Sequence, residues 1–415
     1  MASPLAIDGG TPVRTESFDG PNHDFGDADI EAVAEVLRSE FKTNKRDEFE
    51  QAYAERHGAQ YGVTTNSGTS SLHTCVAAIN PDPGDEIIVT PWTSGGSIIG
   101  LLFQNCVPVF ADVDDTFNID PKDVEARITD RTRAIIAVHL FGNPCDMDGL
   151  RDVAKRHDLY LIEDCCQAHL AEFNGKRVGS LGDIAGFSFG GKHLSAAGGG
   201  MVMTNNKALW ERAILFRDMA LPRDNGPLEG KDYANYFLAP NCKINEMMCA
   251  LLLTQMGKVE GYIERKIHAA NHIMDGVADI PEIQRQKIRP GDRHTHWVLG
   301  FTVDTDALGI GAFDFADAVK AEGVPFGGPF IGSGRFGPLY KNPFLAEPAI
   351  YGKSRFPFDY NREETVDYTK AWCPYGEALM GRSIAMQMRP SFTEKDLDDA
   401  VAALRKVALH YRDAR

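Results

Sequence analysis

Between residues 86 and 204 the sequence alternates short apolar runs with helix-like segments, and this alternation constrains the fold more than any other feature. Most of the segments before and between these runs have helical periodicity, for example 69–80 and 147–158. Runs that are apolar on both faces indicate buried parallel strands covered by helices, so the sequence predicts an α/β domain with a mostly parallel central sheet. The apolar runs are EIIVT (86–90), VPVFADV (107–113), AIIAVHLFG (134–142), LYLIEDC (159–165), IAGFSFG (184–190) and GMVMT (200–204).

The pattern changes from about residue 243 onward. The later segments predicted are a long helical stretch (244–277) that leads out of the α/β domain, a strand (295–304) and a Gly- and Pro-rich loop near a site (323–343). The final helix is predicted to begin at a capping-box pair, Thr393 and Asp396. We therefore predict a large domain over residues 1–255 and a smaller C-terminal α/β domain over residues 256–415.

Composition excludes several classes of function. The formal net charge of −16 argues against a nucleic-acid or anionic-membrane surface, and no run of 18 apolar residues predicts a membrane span. The eight cysteines are scattered without a C-x-x-C pair, and the start of the chain does not resemble a signal peptide. These features predict a cytoplasmic protein with reduced thiols, without structural zinc, that acts on small molecules.

Three polar clusters follow predicted strands. In the first, Ser67, Gly68 and Thr69 lead into a helix, where free backbone N–H groups and small hydroxyls suit a phosphate group. The same residues also suit an ordinary helix N-cap. In the second, DLYLIEDCCQAH (158–169), a core strand ends in two carboxylates, which a solvated strand end or a helix cap would also explain.

The third cluster is GFSFGGKHLSAAGGGMV (186–202), which places Ser188 and Lys192 on a tight glycine-rich loop. A lysine there can be a solvated loop residue. Taken together, however, the three clusters supply what pyridoxal phosphate requires: a phosphate cradle, a carboxylate for the pyridinium nitrogen and an amine for a Schiff base. Asp164 would keep the ring nitrogen protonated, and the cost of burying it would be offset by that cation.

The order of these motifs also resembles a known family. NSGTSSLH, PGDEIIVTP, PVFADVD, VHLFGNPCDMDGL, LIEDCCQAH, GKRVGSLGDIAGFSF, Lys192 and GGGMVMT together resemble the DegT/StrS-type sugar and cyclitol aminotransferases over nearly the whole chain. The resemblance implies a pyridoxal-phosphate-dependent transferase of fold type I that works as a homodimer with shared active sites. No metal is needed in that chemistry.

The resemblance also implies roles for individual residues. Lys192 would be the Schiff-base lysine and Asp164 the partner of the pyridine nitrogen, while Gln167 would lie by the ring hydroxyl. The residues implied to contact the phosphate are Ser188, Gly68, Thr69 and, from the partner subunit, Asn241. Trp92 is a candidate to stack on the cofactor ring, or alternatively a tryptophan packed at the domain surface.

The sequence departs from the family pattern at four places. Ser188 and Lys192 are four residues apart instead of five, Gly198 replaces a glutamate, Ser94 replaces a ring-stacking aromatic, and Cys242-Lys243-Ile244 replaces Tyr-Arg-Met. These departures leave two alternatives to an aminotransferase. One is a dehydratase-like or aromatising enzyme of the same fold, although dehydratase relatives have histidine in place of Lys192; the other is a catalytically silent ligand-sensing homologue or partner subunit.

The acceptor is predicted from the opening LAIDGGTPVR, which resembles the branch acting on inosose-type cyclitols. We expect a keto-cyclitol or keto-sugar of amino-sugar or aminoglycoside-type biosynthesis to receive an amino group from glutamine or glutamate. His294, His296 and Tyr340 are candidates for contacting the acceptor. A surface histidine pair is the alternative interpretation of His294 and His296.

Overall fold

Each segment predicted as a strand overlaps a strand of the computed structural model. The structure describes residues 4–222, 226–329, 337–347, 350–364, 366–370 and 372–414. Its strands are β1 (Tyr61–Thr65), β2 (Glu86–Val89), β3 (Val107–Phe110), β4 (Thr132–Val138), β5 (Tyr160–Asp164), β6 (Glu172–Phe173), β7 (Lys176–Arg177), β8 (Ile184–Ser188), β9 (Gly200–Thr204), β10 (Ile283–Arg285), β11 (Val298–Val303) and β12 (Ser383–Gln387).

The central sheet has the strand order β1-β9-β8-β5-β4-β2-β3. The β2, β3, β4, β5 and β8 strands pair in parallel, whereas β9 is antiparallel to both of its neighbours. The prediction of an α/β fold with a mostly parallel sheet is therefore confirmed. Because β1, β5 and β8 run in the same direction, their carboxyl ends meet at one edge of the sheet, which is where ligands bind in such folds.

Helices connect the strands and cover both faces of the sheet. They are α1 (Asp27–Arg38), α2 (Lys45–His57), α3 (Gly68–Ala78), α4 (Gly96–Phe103), α5 (Pro121–Ala126), α6 (Met147–Arg156), α7 (Lys207–Arg217), α8 (Glu246–Met256), α9 (Val259–Gly276), α10 (Thr305–Leu308), α11 (Ala312–Ala321), α12 (Pro343–Ala346), α13 (Pro374–Gly381) and α14 (Glu394–Asp413). Among the described residues no helix is long and apolar enough to cross a membrane.

The long helical stretch predicted over 244–277 forms two helices, α8 and α9, which are separated by Gly257 and Lys258. Glycine disfavours a helix interior because its backbone loses more conformational entropy than that of other residues. Ile263 of α9 packs in the core beside the central sheet, and Ile273 packs in the core of the C-terminal sheet. The connection between the two cores therefore runs along α9.

The C-terminal core packs on an antiparallel sheet of β10, β11 and β12, with α9, α11 and α14 against it. The capping box of Thr393 and Asp396 begins α14 as predicted. Two segments pack across the predicted division at residue 255. Leu5 and Phe18 join the C-terminal core, whereas Leu339, Phe358 and Cys373 join the core of the central sheet. The domain boundary itself stays a prediction.

Candidate active site

The two carboxylates that end β5 point to opposite faces, as neighbouring residues of a strand must. Glu163 is fully buried, and its oxygens accept hydrogen bonds from the backbone N–H groups of Gly179, Leu181 and Gly182 at 2.7–2.8 Å. The Nε2 atom of His139 lies 3.1 Å from Glu163 Oε2. Burial acts to raise the pKa of Glu163, but these hydrogen bonds outweigh it and hold the pKa below its ordinary value. Glu163 therefore fixes the turn before β8.

Asp164 faces a cavity instead. Its Oδ2 accepts a hydrogen bond of 2.7 Å from Ser97 Oγ, and its Oδ1 accepts one of 3.1 Å from the backbone N–H of Cys166. Ser97 Oγ in turn lies 2.7 Å from Thr93 Oγ1. In the part of the chain that the structure describes, no cationic side chain forms a salt bridge with Asp164. The carboxylate is thus oriented by neutral donors and keeps a side open to a cationic ligand.

The residues after β5 support the same cavity. Gln167 lines it, and its side-chain oxygen accepts a hydrogen bond of 2.8 Å from the backbone N–H of Phe141. Two residues further on, His169 donates from Nε2 to the backbone carbonyl of Ser188 at 2.9 Å and accepts from the hydroxyl of Tyr53 at 2.8 Å. Burial lowers the pKa of His169 to about 3, so the ring is neutral and acts as a fixed link to the end of β8.

The start of α3 and the end of β8 form the other wall. Ser67 is the N-cap, and its hydroxyl accepts a hydrogen bond of 3.1 Å from the backbone N–H of Ser70. A Cβ atom at Gly68 would lie 2.4 Å from the Cβ of Ser188, so only glycine permits this approach. Thr69 also lines the cavity. Free N–H groups at a helix start beside small hydroxyls suit a phosphate group.

Lys192 is carried by a tight loop that begins directly after β8. Ser195 Oγ donates a hydrogen bond of 2.9 Å to the carbonyl of Phe189 and accepts one of 3.2 Å from the N–H of Gly191. Gly191 has a φ of 65°, a left-handed conformation that glycine adopts without strain. His23 Nε2 lies 2.8 Å from the Lys192 carbonyl oxygen. The loop is therefore held at both of its sides although it is one residue shorter than the family pattern.

The amine of Lys192 lies 3.5 Å from the centre of the Trp297 ring. Burial lowers the pKa of Lys192, while the charge of Asp164 acts in the opposite direction. A lowered pKa increases the fraction of free amine, which is the nucleophilic form. Trp297 is itself placed by its indole N–H, which donates to the carbonyl of Gly191 at 3.4 Å.

The structure brings six of the predicted site residues to one cavity. They are Gly68, Thr69, Asp164, Gln167, Ser188 and Lys192. Ser94, which replaces the family's aromatic, lines the same cavity, and so does Ser97. The arrangement fits pyridoxal phosphate: Gly68 and Thr69 at the start of α3 line the cavity beside Ser188, where their N–H and hydroxyl groups would hold a phosphate, and Asp164 lacks a cationic partner within the described residues.

Trp92 and Tyr340 are placed elsewhere. Trp92 is fully buried and stacks on Phe117 with a centroid distance of 4.7 Å, so it packs in the interior and not at the domain surface. Tyr340 is fully buried, and its hydroxyl donates to Glu377 at 2.5 Å. Neither residue lines the cavity. The predicted loop 323–343 lies partly outside the described residues, since 330–336 are not described.

His294 and His296 form a parallel stack with a centroid distance of 3.8 Å. The alternative of a surface pair is wrong, because both rings are buried. Burial lowers the pKa of His296 to about 3. Neither ring lines the cavity, but the segment between them does contact the lysine loop, since the carbonyl of Thr295 lies 2.9 Å from His193 Nε2. Asn241 is exposed and also lies away from the cavity of its own chain.

Sequence reasoning missed Ser97 and Trp297. Ser97 lies in the first turn of α4, and its contact with Asp164 joins residues 67 positions apart. Trp297 precedes β11, more than 100 residues after Lys192. The predicted strand next to each residue was the available signal, but nothing in the local sequence indicates which side chain reaches the cavity.

An amine and a carboxylate that face one cavity beside a helix start, at the carboxyl edge of a mostly parallel sheet, define the class of pyridoxal-phosphate-dependent enzymes of fold type I. A comparison with protein families identifies one family within this class. Residues 23–405 match the model described as the DegT/DnrJ/EryC1/StrS aminotransferase family. The chain belongs to this family, and the predictions of the family, the fold and an aminotransferase are confirmed.

Individual relatives agree with this assignment. The L-glutamine:2-deoxy-scyllo-inosose aminotransferase of Streptomyces kanamyceticus is 31% identical over 436 residues, covering 99% of this chain and 98% of the relative. The GDP-perosamine synthase of Escherichia coli O157:H7 is 32% identical over 280 residues, or 66% of this chain and 75% of the relative. The crystal structure of the aminotransferase from Psychrobacter cryohalolentis has a TM-score of 0.82 at 27% identity, covering 94% of this chain and 99% of that chain.

Proposed function

We propose that this protein transfers an amino group from glutamine or glutamate to an inosose-like keto-cyclitol or a keto-sugar, with pyridoxal phosphate held by Lys192 and Asp164. The single observation that carries the proposal is the placement of both side chains at one cavity, beside the start of α3. The full-length similarity to the inosose aminotransferase supports a cyclitol acceptor and glutamine as donor. The similarity to GDP-perosamine synthase supports a sugar acceptor.

Each residue of the cavity has a defined task in this proposal. Pyridoxal phosphate supplies an aldehyde that links to amines and a ring that takes up electrons from the donor carbon. Lys192 Nζ would hold the cofactor until an amino donor displaces it, and the freed amine would then carry the proton from the donor α-carbon to the cofactor carbon that receives the nitrogen. Asp164 would hold the proton on the ring nitrogen. Ser188 and the N–H groups at Gly68 and Thr69 would bind the phosphate.

The departures from the family pattern fall at the cavity or near it. Ser94 lines the cavity, where a small hydroxyl leaves more room over the ring plane than an aromatic would. A Cβ atom at Gly198 would lie 3.2 Å from the Met248 side chain, so a residue larger than glycine would need that methionine to move. The Ser94 replacement therefore leaves more space at the cavity, and the lysine and the carboxylate are retained.

Homodimerisation and location belong to the same proposal. Asn241 is exposed, and the carbonyl of its side chain accepts only a long hydrogen bond of 3.4 Å from the N–H of Lys243. Such a side chain is able to contact the phosphate in the cavity of a partner subunit, as the family resemblance implies. A dimer with shared sites that works in the cytoplasm, without nucleic acid or membrane, is what we propose.

The visible absorption spectrum of the protein with added pyridoxal phosphate tests the proposal. We expect the band of the lysine-bound cofactor to form, to bleach when glutamine or glutamate is added, and to return with an accepting keto-cyclitol or keto-sugar. In Lys192→Ala we expect no such band and turnover lower by orders of magnitude. The matched control is Lys207→Ala, which removes an exposed lysine of α7 paired with Glu211.

The same measurement separates the alternatives. A band that forms but resists every amino donor would favour the dehydratase-like enzyme or the silent homologue. A dehydratase-like enzyme would then change a hydroxylated substrate without consuming a donor, whereas a silent homologue would change none. Turnover retained in Lys192→Ala would overturn the assignment of the lysine.

A further inference from the structure

A cluster of metal-binding groups lies on the surface where α9 packs against α14. His268 and His272 are four residues apart on α9, and Glu394 and Asp398 are four residues apart on α14. Residues at this spacing share one face of a helix, so each pair points in one direction. None of the four side chains lines the active-site cavity. The active-site chemistry therefore leaves this cluster unexplained.

The distances arrange the cluster around the Glu394 carboxylate. Its two oxygens lie 2.9 Å from His268 Nε2 and 3.5 Å from His272 Nδ1. One ligand atom from each of these three residues lies within 4.8 Å of the others. The ligand atoms of a tetrahedral zinc ion are about 3.4 Å apart, given bonds of about 2.0–2.1 Å. Small side-chain rotations are enough to bring the three groups to that geometry.

The fourth residue supplies the support that zinc ligands usually have. Asp398 Oδ1 lies 2.9 Å from Nε2 of His272, the ring nitrogen that does not face Glu394. A histidine that binds a metal through one nitrogen commonly donates its other N–H to a carboxylate, which fixes the tautomer and the ring orientation. Asp398 would therefore hold His272 with Nδ1 free for a metal.

The backbone on both sides of the cluster is well anchored. On α14, Glu394 lies between the two residues of the capping box, Thr393 and Asp396, and Asp396 also pairs with Arg14 at 2.7 Å. On α9, Ile273 is buried in the C-terminal core next to His272. A rigid backbone reduces the ordering cost of binding an ion, because only the side chains must be fixed.

We propose that His268, His272 and Glu394 form a binding site for a divalent transition-metal ion of the zinc class, with Asp398 as the supporting carboxylate. Two imidazoles and one carboxylate are a ligand set that zinc prefers, and the exposed fourth position is open to water. The ion joins α9 to α14, the two long helices of the C-terminal core. Metal binding thus stabilises the folded chain by mass action, independently of the proposed aminotransferase activity.

Zinc titration of the full-length chain, freed of metal with a chelator, tests the site. We expect one zinc ion per chain by calorimetry and a rise in the thermal unfolding midpoint. Co²⁺ serves as a second probe, since its visible bands report tetrahedral coordination. Asp398→Asn should weaken zinc binding about 10- to 100-fold, the range usual for such supporting carboxylates, and His272→Ala and Glu394→Gln should weaken it further.

The matched control is His157→Ala, because His157 also forms an exposed pair with a carboxylate, Glu125 Oε1, at 3.2 Å, without a second histidine on its helix face. This variant should bind zinc as the wild type does. The zinc-induced rise of the midpoint is compared, not the midpoint itself, because His272→Ala also loses its contact with Asp398. Wild-type protein that binds no zinc at micromolar concentration, or a zinc-induced rise that persists in His272→Ala, would overturn the proposal.

Discussion

Glu163 and Asp164 are neighbours at the end of β5, but the protein satisfies them in different ways. Glu163 is enclosed by three backbone N–H groups and His139. Asp164 has one hydroxyl and one backbone N–H, and its remaining side faces the cavity with Lys192. Glu163 has all its partners within the fold, whereas Asp164 keeps a place for a partner that the described residues do not supply.

The difference shows that the partners of a buried carboxylate distinguish a structural role from a ligand-binding role. A buried carboxylate needs hydrogen bonds or a cation, because its transfer from water is costly. For Glu163 the backbone N–H groups of a turn and the His139 imidazole offset this cost, which indicates a structural role. For Asp164 the described residues offset only part of the cost of burial, which indicates a ligand with a positive charge. The contrast predicts that activity and stability respond separately to the two residues.

The largest effect is expected from Asp164→Asn. A neutral amide cannot hold the proton on the ring nitrogen of the cofactor, so kcat should fall by about 10²- to 10³-fold, the range found when one preorganised electrostatic group is removed. The unfolding midpoint should stay close to that of the wild type, because the amide oxygen still accepts from the Cys166 N–H and the amide NH₂ is able to donate to the Ser97 hydroxyl. Steady-state kinetics and thermal unfolding measure the two quantities. Near-normal rates would show that Asp164 is structural.

Glu163→Gln is expected to have the opposite pattern. The amide places an NH₂ group against the N–H donors of the turn, so the free energy of unfolding should fall by about 3 kcal/mol. Turnover per folded molecule should stay close to that of the wild type. Denaturant unfolding and kinetics on the same sample measure both. A variant that keeps its stability but loses turnover would contradict the structural role of Glu163.

A smaller effect is expected from Ser97→Ala, which removes the donor to Asp164 Oδ2. Hydrogen bonds to charged groups contribute about 1.5–3 kcal/mol, so kcat should fall about tenfold as the carboxylate loses its orientation. The matched control is Ser383→Ala, a buried serine whose hydroxyl donates at 2.6 Å to Leu379 in the C-terminal domain. That variant should lose stability without a change in kcat. An equal loss of kcat in both would contradict the role of Ser97.

The sequence predicted the central sheet because its strands are buried on both faces, which leaves continuous apolar runs. The same pattern predicted which strand ends meet. Gly68, Asp164 and Ser188 therefore came together as expected, although they are far apart in the chain. Parallel strands place their carboxyl ends at one edge, so a strand prediction is also a prediction of proximity.

Side chains outside this rule could not be placed from the sequence. Trp92 and Tyr340 lie next to loop-like segments of the sequence. The contact of Trp92 with Phe117 and that of Tyr340 with Glu377 depend on tertiary packing. His294 and His296 have polar neighbours in the sequence but are buried as a stacked pair. The local sequence pattern determines whether a segment forms a strand or a helix, whereas packing between distant segments determines which side chains reach the cavity.

The smallest effect is the pH dependence of the difference between the wild type and Glu163→Gln. The pKa of Glu163 in the folded chain is below its ordinary value of 4.5, so its carboxylate contributes stability that is fully present above pH 4.5 and is lost as the pH falls through the folded value. The variant lacks this contribution at every pH. Its deficit in the free energy of unfolding should therefore shrink as the pH falls below 4.5, as measured by urea unfolding. Other acidic groups cancel because both proteins carry them, and a deficit that stays constant into the acid range would show that Glu163 is not held as a carboxylate.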